Sequence, residues 1–364
     1  MEKTRTQRVV KRGELAIRRA FIALLSRRSL KSSPTLPLQL PDSPTILILR
    51  QDKFGDAIIT TPLLVALKER YPTARLMVLL GEKNKSIAPL LPIECETFVY
   101  RKNLAADIAL LWTIRKIHVD VLIDLQDNAS ATSSIITAAV SARYSIGIEK
   151  ENASSYNVLA KRLDQKTVHI SRRIAELLRP LGIDPDTISL QPKLNIPIIL
   201  PRIAGRIAVN ISVGKPSCWV PPHVQSQICA LVSSVPDTQE VLVFAHPKDK
   251  KEQEEVIRLA NTMKVKPAPL TNSFEEYASL LSSCEILLTP DTSTVHLGAA
   301  LGIPMVAYYL QSSLHYWTPI GVDYRMLTQD NLQDISVNNV LVLFKELLDG
   351  VATTNASIRE EVVR

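Results

Sequence analysis

The chain of 364 residues lacks any apolar stretch long enough to cross a bilayer, since a spanning helix needs about 18 apolar residues or more. A short apolar run at 20–25 is flanked by arginines and lacks a convincing cleavage site, so we do not expect a secretory signal. Cysteine is scarce and forms no CxxC pair; the four residues are Cys95, Cys218, Cys229 and Cys284. This scarcity argues against a zinc site or a disulfide framework and favours a reducing, cytoplasmic compartment.

Several chemical motifs are also missing. Neither half carries a G-x-G-x-x-G after its first predicted strand, which disfavours a dinucleotide oxidoreductase. No DxD-like metal motif is visible, so we expect neither a metal nor a cofactor. The body of the chain shows no basic, aromatic-studded pattern, which disfavours nucleic acid as a partner.

Positive charge is concentrated in an amino-terminal arm, residues 1–31. The chain has a net charge of +7, and the arm holds ten Lys and Arg against two Glu, which leaves the other 333 residues at −1. On a helical wheel, one arc is apolar and a neighbouring arc is basic; the apolar residues are Val10, Ile17, Phe21, Leu24 and Leu25. The pattern is typical of a helix in an anionic membrane interface. A solvated tail, or a helix packed on the body, is the alternative.

Beyond a proline-containing linker at 32–44, apolar runs alternate with amphipathic helical patterns. We predict strands near 45–50, 74–80, 97–100, 119–125 and 143–148, and again near 206–211, 241–244, 285–288 and 304–308. Between them we predict helices near 56–70, 104–117, 129–139 and 168–181, and near 222–235, 249–263, 273–283 and 292–301. The runs are continuously apolar, which indicates parallel sheets covered on both faces. The sequence therefore predicts an α/β protein with two doubly wound, Rossmann-like domains facing across a cleft. We assign 45–190 and 191–350 to these domains and 351–364 to a tail.

The first predicted strand ends in a charged turn. Gly55 allows a tight turn, and Asp56 falls at or just before the first turn of the next helix. A helix start stabilises a carboxylate, so a plain N-cap is one interpretation. The other is a proton acceptor, because ligands of such sheets bind at the carboxyl ends of the strands. Arg50 and Lys53 would keep the carboxylate ionised or would hold an anionic substrate.

A second motif occupies residues 287–309. A strand ends at Asp291, and Thr292–Thr294 open a helix that contains His296. Free N–H groups, the positive end of the helix dipole and hydroxyl groups together form a diphosphate site that needs no metal. Taken alone, the pattern is also that of a common strand–helix unit.

Together these motifs resemble those of glycosyltransferase family 9, which includes the lipopolysaccharide heptosyltransferases. The family signature R-x-[DS]-x-x-G-D-x-x-x-x-x-P is matched from Arg50 to Pro62, and D-[ST]-G-x-x-H-x-A-A-A-L-G-x-P is matched from Asp291 to Pro304. A later W-x-P-x-G matches 317–321. The resemblance covers about residues 45–345 and implies the GT-B fold, with an acceptor-binding first domain and a nucleotide-sugar-binding second domain.

The chain departs from the family pattern in four places. Ser293 stands where glycine is usual, and the segment 311–313 reads Gln-Ser-Ser instead of Gly-Pro-Thr. The loop at 210–221 has altered spacing. An acidic residue expected after the second strand of the second domain, thought to grip the nucleotide sugar or ribose, is not evident, and the sequence there is His-Pro-Lys-Asp at 246–249. These departures concern the donor more than the type of reaction.

The resemblance implies an inverting, metal-independent transfer of a sugar, favoured to be heptose from ADP-heptose. Asp56 would be the general base for the acceptor hydroxyl. Arg50 and Lys53 would bind the acceptor, a lipopolysaccharide core or a related lipid-linked glycan. The expected location is peripheral, on the cytoplasmic face of the inner membrane, with residues 1–31 on the anionic surface.

On the donor side, Lys215 and the helix start at 292–294 would stabilise the charge of the departing ADP. Ser212 and Asp291 are further expected donor contacts. His296 would orient the phosphate loop or would be a core histidine. Two alternatives are another GT-B enzyme, either a transferase or an epimerase, and a non-catalytic, membrane-docked binding protein derived from the family.

Overall fold

The protein is described here by a computed structural model that covers residues 34–313 and 316–362. The chain forms two compact units. The first contains the residues up to Lys53, Pro62–Lys85 and Ile93–Ser189, and the second contains Phe54–Thr61, Ser86–Pro92 and the chain from Leu190 onward. The arm at 1–31, for which a basic helix is predicted, lies outside the described residues.

The first half of the chain supplies six strands and five helices to the described structure. In chain order these are β1 (Thr45–Arg50), α1 (Phe54–Ile59), α2 (Thr61–Arg70), β2 (Arg75–Gly81), β3 (Glu96–Tyr100), α3 (Leu104–Lys116), β4 (Val121–Asp124), α4 (Ala131–Val140), β5 (Tyr144–Ile148), β6 (Val158–Ala160) and α5 (Ile170–Ala175). The strands form one parallel sheet in the order β3-β2-β1-β4-β5-β6. This is the doubly wound order, in which the connection reverses between β1 and β4.

The second half repeats the same plan. Its elements are β7 (Arg206–Asn210), α6 (Pro222–Ser233), β8 (Glu240–Phe244), α7 (Lys250–Ala260), β9 (Val265–Pro267), α8 (Phe274–Ser282), β10 (Ile286–Pro290), α9 (Ser293–Ala300), β11 (Met305–Leu310), β12 (Tyr324–Gln329) and α10 (Val337–Val362). Its parallel sheet has the order β12-β11-β10-β7-β8-β9, so that β7 and β10 flank the switch point.

The core of each unit is built from the central strands. Ile46, Leu47, Ile48 and Leu49 of β1 are fully buried, and β7 and β10 are buried in the same way. Strands buried on both faces need continuous apolar sequence, which is the pattern by which they were predicted. Among the described residues, we find no helix that is both long and apolar enough to cross a membrane.

Three strands and one helix were not predicted. The strands β6 and β9 have three residues each, too few for a recognisable pattern, and β12 is a partly exposed edge strand. The helix α10 continues through Val362, so most of the predicted tail at 351–364 is helical. The single helix predicted at 56–70 is two helices, α1 and α2, because the chain breaks at Thr60.

An ionic cluster is buried in the first unit where β4 and β5 end. The Asp124 carboxylate accepts hydrogen bonds from Lys150 Nζ at 2.8 Å, Tyr156 Oη at 2.5 Å and Ser133 Oγ at 3.0 Å. The side chains of Asp124 and Lys150 are fully buried. Burial, together with the neighbouring Asp124 charge, raises the pKa of Tyr156. Because the buried charges are paired and hydrogen-bonded, the cluster holds the two strand ends together.

Candidate active site

The helix α9 begins just after the carboxyl end of β10. All five residues of β10 are buried, and the chain leaves the sheet at Asp291, whose N–H donates to Tyr308 O at 2.9 Å. Thr292 is the N-cap, with an extended backbone and no capping hydrogen bond from its side chain. The first N–H groups of a helix have no acceptor within the helix itself. The N–H groups at Ser293 and Thr294 therefore favour an anion, and the phosphate site expected there stays a prediction.

Lys215 lies beside this helix start. Its Nζ atom is 3.8 Å from Asp291 Oδ2, and its side chain is 47% exposed while that of Asp291 is 9% exposed. The loop that carries Lys215 is tied to β10 by Asn210, whose Nδ2 donates to Thr289 Oγ1 at 3.0 Å and to Ser212 O at 3.1 Å. The Lys215 ammonium therefore lies near the start of α9, and the lysine charge and the helix start both favour an anion there.

Ser212 links two loops of the second unit. Its Oγ donates to Asp249 Oδ2 at 2.6 Å and accepts from His246 N at 2.7 Å. These bonds join the loop after β7 to the loop after β8. The donor contact predicted for Ser212 stays a prediction, and the residue it holds, Asp249, is the more direct candidate.

Asp249 is the acidic residue that sequence reasoning missed. It follows β8 at the end of a short 3-10 turn, Pro247–Asp249, five residues beyond the strand. An acidic residue therefore does follow the second strand of this unit, after a proline-initiated turn. The signal available in the sequence was Asp249 itself, which the altered spacing concealed.

A cavity of about 430 Å³ lies next to these residues. Its lining includes Val213, Gly214, Trp219, Lys248, Asp249 and Gln333. Trp219 is oriented by a hydrogen bond from Nε1 to Glu252 Oε2 at 3.2 Å. A flat indole and a carboxylate in one cavity offer a surface for an aromatic base and an acceptor for hydroxyl groups.

The helix α1 packs against the start of α9. A Cβ atom on Gly55 would be 3.2 Å from His296 Cδ2 and 3.4 Å from Ser293 Cα, so the two helices approach as closely as glycine allows. Phe54 packs on Phe274 with ring centroids 4.2 Å apart. Asp56, in the first turn of α1, is therefore carried by the segment that lies on the α9 helix. We expected residues 54–61 in the amino-terminal domain, but these contacts place them in the second unit.

His296 is the point where the three recognised motifs meet. It is 4% exposed, it contacts the Gly55 position, and its ring lies 5.9 Å from that of Trp317. Tyr309 Oη donates to Trp317 O at 3.0 Å and so holds the third motif. The histidine that was predicted either to orient the phosphate loop or to be a core residue is buried at the junction of the motifs.

Arg50 and Lys53 lie in the first unit and differ in exposure. Arg50 is 3% exposed and donates to Leu125 O at 2.7 Å and to Asp52 Oδ2 at 3.2 Å, which links the ends of β1 and β4. Asn84, also buried, donates to Arg50 O at 2.7 Å. Lys53 is exposed. The acceptor contacts predicted for both stay predictions, and of the two only Lys53 has an exposed side chain.

Within the described part of the chain, no group of three or more His, Cys, Asp or Glu is arranged to hold a metal ion. The expectation of a metal-independent reaction stays a prediction. The charged groups that the structure does bring together are Lys215, Asp291 and the start of α9.

Solved structures of other proteins share this fold. A glycosyl transferase of family 9 from Veillonella parvula superposes with a TM-score of 0.72 at 20% identity, covering 86% of this chain and 99% of that one. The Escherichia coli heptosyltransferase WaaC, solved with ADP, superposes with a TM-score of 0.67 at 18% identity, covering 83% of this chain and 99% of that one. The two doubly wound sheets and these likenesses show the GT-B fold, as expected.

The sequence comparisons add a partial match to one family. The family model described as "Glycosyltransferase family 9 (heptosyltransferase)" matches residues 229–340. Lipopolysaccharide heptosyltransferase 3 of Escherichia coli is 20% identical over 286 residues, which cover 73% of this chain and 83% of that protein. The chain is therefore similar to the heptosyltransferases of glycosyltransferase family 9, in agreement with the resemblance drawn from the three motifs.

Proposed function

We propose that this glycosyltransferase transfers heptose from ADP-heptose, with inversion and without a metal, onto a lipopolysaccharide core or a related cell-surface glycan. The observation that carries the proposal is the contact of α1 with α9 through Gly55 and His296. It sets the carboxylate-bearing turn of α1 beside the helix start that suits a diphosphate. A base and a leaving-group site next to each other are what an inverting transfer requires.

The proposed step begins at the acceptor hydroxyl. Asp56 accepts the hydroxyl proton as the oxygen attacks the anomeric carbon. The bond between that carbon and the diphosphate oxygen breaks on the opposite face, and ADP leaves with the electron pair. The new glycosidic bond therefore has the inverted configuration, and the proton remains on the carboxylate until it passes to solvent.

The leaving diphosphate gains negative charge, and we assign its stabilisation to Lys215 and the start of α9. Both are fixed before the reaction, the lysine near Asp291 at 3.8 Å and the helix start by the buried strand β10. Fixed charges and dipoles stabilise developing charge without the cost of reorganisation at the moment of reaction. Asp291 acts in this proposal by positioning the lysine.

The nucleoside of the donor occupies the neighbouring cavity in this proposal. The adenine ring stacks on Trp219, and the ribose hydroxyls donate to Asp249. The cavity of about 430 Å³ is within the size range of small-molecule sites. Asp249 would supply the ribose contact for which the sequence showed no obvious residue.

The acceptor in this proposal is linked to lipid, and the arm at 1–31 holds the enzyme on the anionic cytoplasmic face of the inner membrane. The support is the charge distribution, with ten basic residues in the arm and a near-neutral remainder. The arm lies outside the described residues, so this part rests on the sequence.

A thermal-shift panel of ADP-, UDP-, GDP- and dTDP-sugars tests the donor. A ligand that binds the folded state raises the unfolding midpoint by mass action, and we expect ADP-heptose to give the largest rise. A larger rise with another nucleotide sugar would replace the proposed donor. Absence of any rise would favour the non-catalytic binding protein, and turnover of a nucleotide sugar without acceptor would favour an epimerase.

A further inference from the structure

The helix α3 presents an apolar face to solvent. Leu104, Ile108 and Trp112 are spaced four residues apart, so they lie on one side of the helix in successive turns. They are 80%, 59% and 61% exposed. Single exposed apolar residues are common, but a row of three large ones on one helix marks a contact surface. We call these three residues the α3 stripe.

An adjoining side of α3 is already used for packing. Ile114 is fully buried in the core of the first unit, and Leu110 and Leu111 pack against the same core. Asp107 is buried and accepts from Arg101 N at 2.9 Å. The α3 stripe is therefore additional apolar surface that folding of this unit does not require.

The exposed charged side chains on α3 and just before it are basic. Within this described helix the single acid, Asp107, is buried, whereas Arg115 and Lys116 in the last turn are exposed, as is Lys102 just before the helix. Lys116 Nζ lies 3.3 Å from the centre of the Trp112 ring. Arg101 adds no net charge beside the stripe, because its Nε lies 3.6 Å from Glu82 Oε1. The surface therefore combines three apolar side chains with three cations.

From this combination we infer that α3 is a membrane-docking element that inserts its stripe into the interface of an anionic bilayer. Leucine and isoleucine enter the acyl boundary, a tryptophan ring suits the headgroup level, and the lysine and arginine stems extend along it to the lipid phosphates. Membrane docking through α3 is separate from the proposed sugar transfer and does not depend on which donor the enzyme uses.

Charge complementarity favours an anionic bilayer over two other partners for the α3 stripe, namely the arm and a second copy of the chain. The arm at 1–31 has an apolar arc that could cover the stripe, but its net charge of +8 would meet Lys102, Arg115 and Lys116. A second copy docked through the same face in a two-fold dimer would bring these cations against their own counterparts. An anionic lipid surface is attracted by the same charges.

Trp112 allows a direct test on the full chain. The sequence has three tryptophans, none in the arm, and the other two, Trp219 and Trp317, belong to the second unit. We expect brominated acyl chains, in vesicles of phosphatidylcholine and phosphatidylglycerol, to quench the fluorescence of the full chain. The Trp112→Phe variant should lose most of that quenching. Equal quenching in both proteins would overturn the inference.

A second measurement tests the stripe itself. Leu104→Ser combined with Ile108→Ser should weaken sedimentation with the same vesicles by about tenfold or more, since two apolar side chains no longer leave water. Met263→Ser is the matched control, because Met263 is 92% exposed and lies in the second unit. The unfolding midpoint and the ADP-induced thermal shift of the double variant should match those of the parent chain.

Unchanged vesicle binding by the double variant would contradict membrane docking. So would concentration-dependent self-association of the parent chain that these two substitutions abolish, because the stripe would then be an interface between copies. The ADP-induced shift separates this result from failure of the proposed sugar transfer, which concerns the second unit.

Discussion

Asp56 is the residue on which the proposed chemistry depends. It lies in the first turn of α1, directly after the glycine that lets α1 contact α9. A carboxylate at a helix start is also stabilised as a simple cap, so position alone does not distinguish the two roles. The two roles differ in what a substitution changes, because loss of a general base lowers turnover whereas loss of a helix cap lowers stability.

We expect Asp56→Asn to lower turnover by about 10²-fold or more, because the acceptor hydroxyl loses its proton acceptor. Binding of ADP should change little. The measurement is steady-state turnover on a confirmed acceptor, with nucleotide affinity from calorimetry. Glu69→Gln, at an exposed carboxylate on α2, is the control and should retain activity. Near-normal turnover of the Asp56 variant would identify a helix cap.

Lys215 provides a second test at the residue scale. Lys215→Ala should weaken the binding of ADP by about tenfold, the size expected for loss of a charge-assisted contact. The affinity for adenosine should be nearly unchanged. Calorimetric titration with both ligands measures the difference. Lys250→Ala serves as the control, since Lys250 is exposed on α7 and pairs with Glu254. Equal losses for ADP and adenosine would place Lys215 away from the phosphates.

At the scale of elements, the contact between α1 and α9 decides the geometry of the site. The close approach at Gly55 leaves 3.2 Å between an added Cβ and His296 Cδ2, tighter than ordinary van der Waals contact. His296 is buried and next to Trp317, so little space is available for it to move. A methyl group at position 55 therefore shifts one helix against the other.

Gly55→Ala should reduce turnover on the order of tenfold to a hundredfold, because small displacements of catalytic groups cost large factors in rate. Its unfolding midpoint should fall only modestly, since the neighbours need to give by a few tenths of an ångström. Gly350→Ala is the matched control: an added Cβ there would lie 3.6 Å from Asp323 Oδ2, an ordinary contact. If Gly55→Ala retains full activity, the close contact is not needed for the reaction.

At the scale of the whole molecule, the charge distribution separates a basic arm from a nearly neutral body. Each basic residue near an anionic surface contributes on the order of 1 kcal/mol, an attraction that salt screens within a Debye length. The arm holds ten such residues and the rest of the chain is nearly neutral. Binding to membranes should therefore be salt-sensitive, and most of that sensitivity should come from residues 1–31.

Deletion of residues 1–31 should weaken salt-sensitive sedimentation with anionic vesicles and leave activity on a soluble, delipidated acceptor intact. Any weaker binding that persists should depend on the α3 stripe. Vesicle sedimentation over a salt series and turnover on the soluble acceptor provide the two measurements. Undiminished binding would show that the arm is not the anchor, and unfolding of the truncated chain would identify the arm as a packed structural helix.

The sequence by itself determined the class of fold and the resemblance to a family. Continuous apolar strands between amphipathic helices require a covered parallel sheet, and this requirement is local enough to read along the chain. The runs starting at Arg50 and Asp291 were recognisable for the same reason, since each places its chemistry within one strand–turn–helix unit. Short edge strands such as β6 and β9 carry too few residues to show a period.

Only the tertiary structure decided which residues meet. The sequence separates Gly55 from His296 by 241 positions, and nothing local indicates that α1 packs on α9. Asp249 became a candidate only when Ser212 and the cavity were seen beside it. The outer face of α3 has an apolar sequence that predicts burial, yet the fold leaves it exposed. Packing partners come from distant parts of the chain, so contacts and exposure depend on the folded arrangement and cannot be read from local pattern.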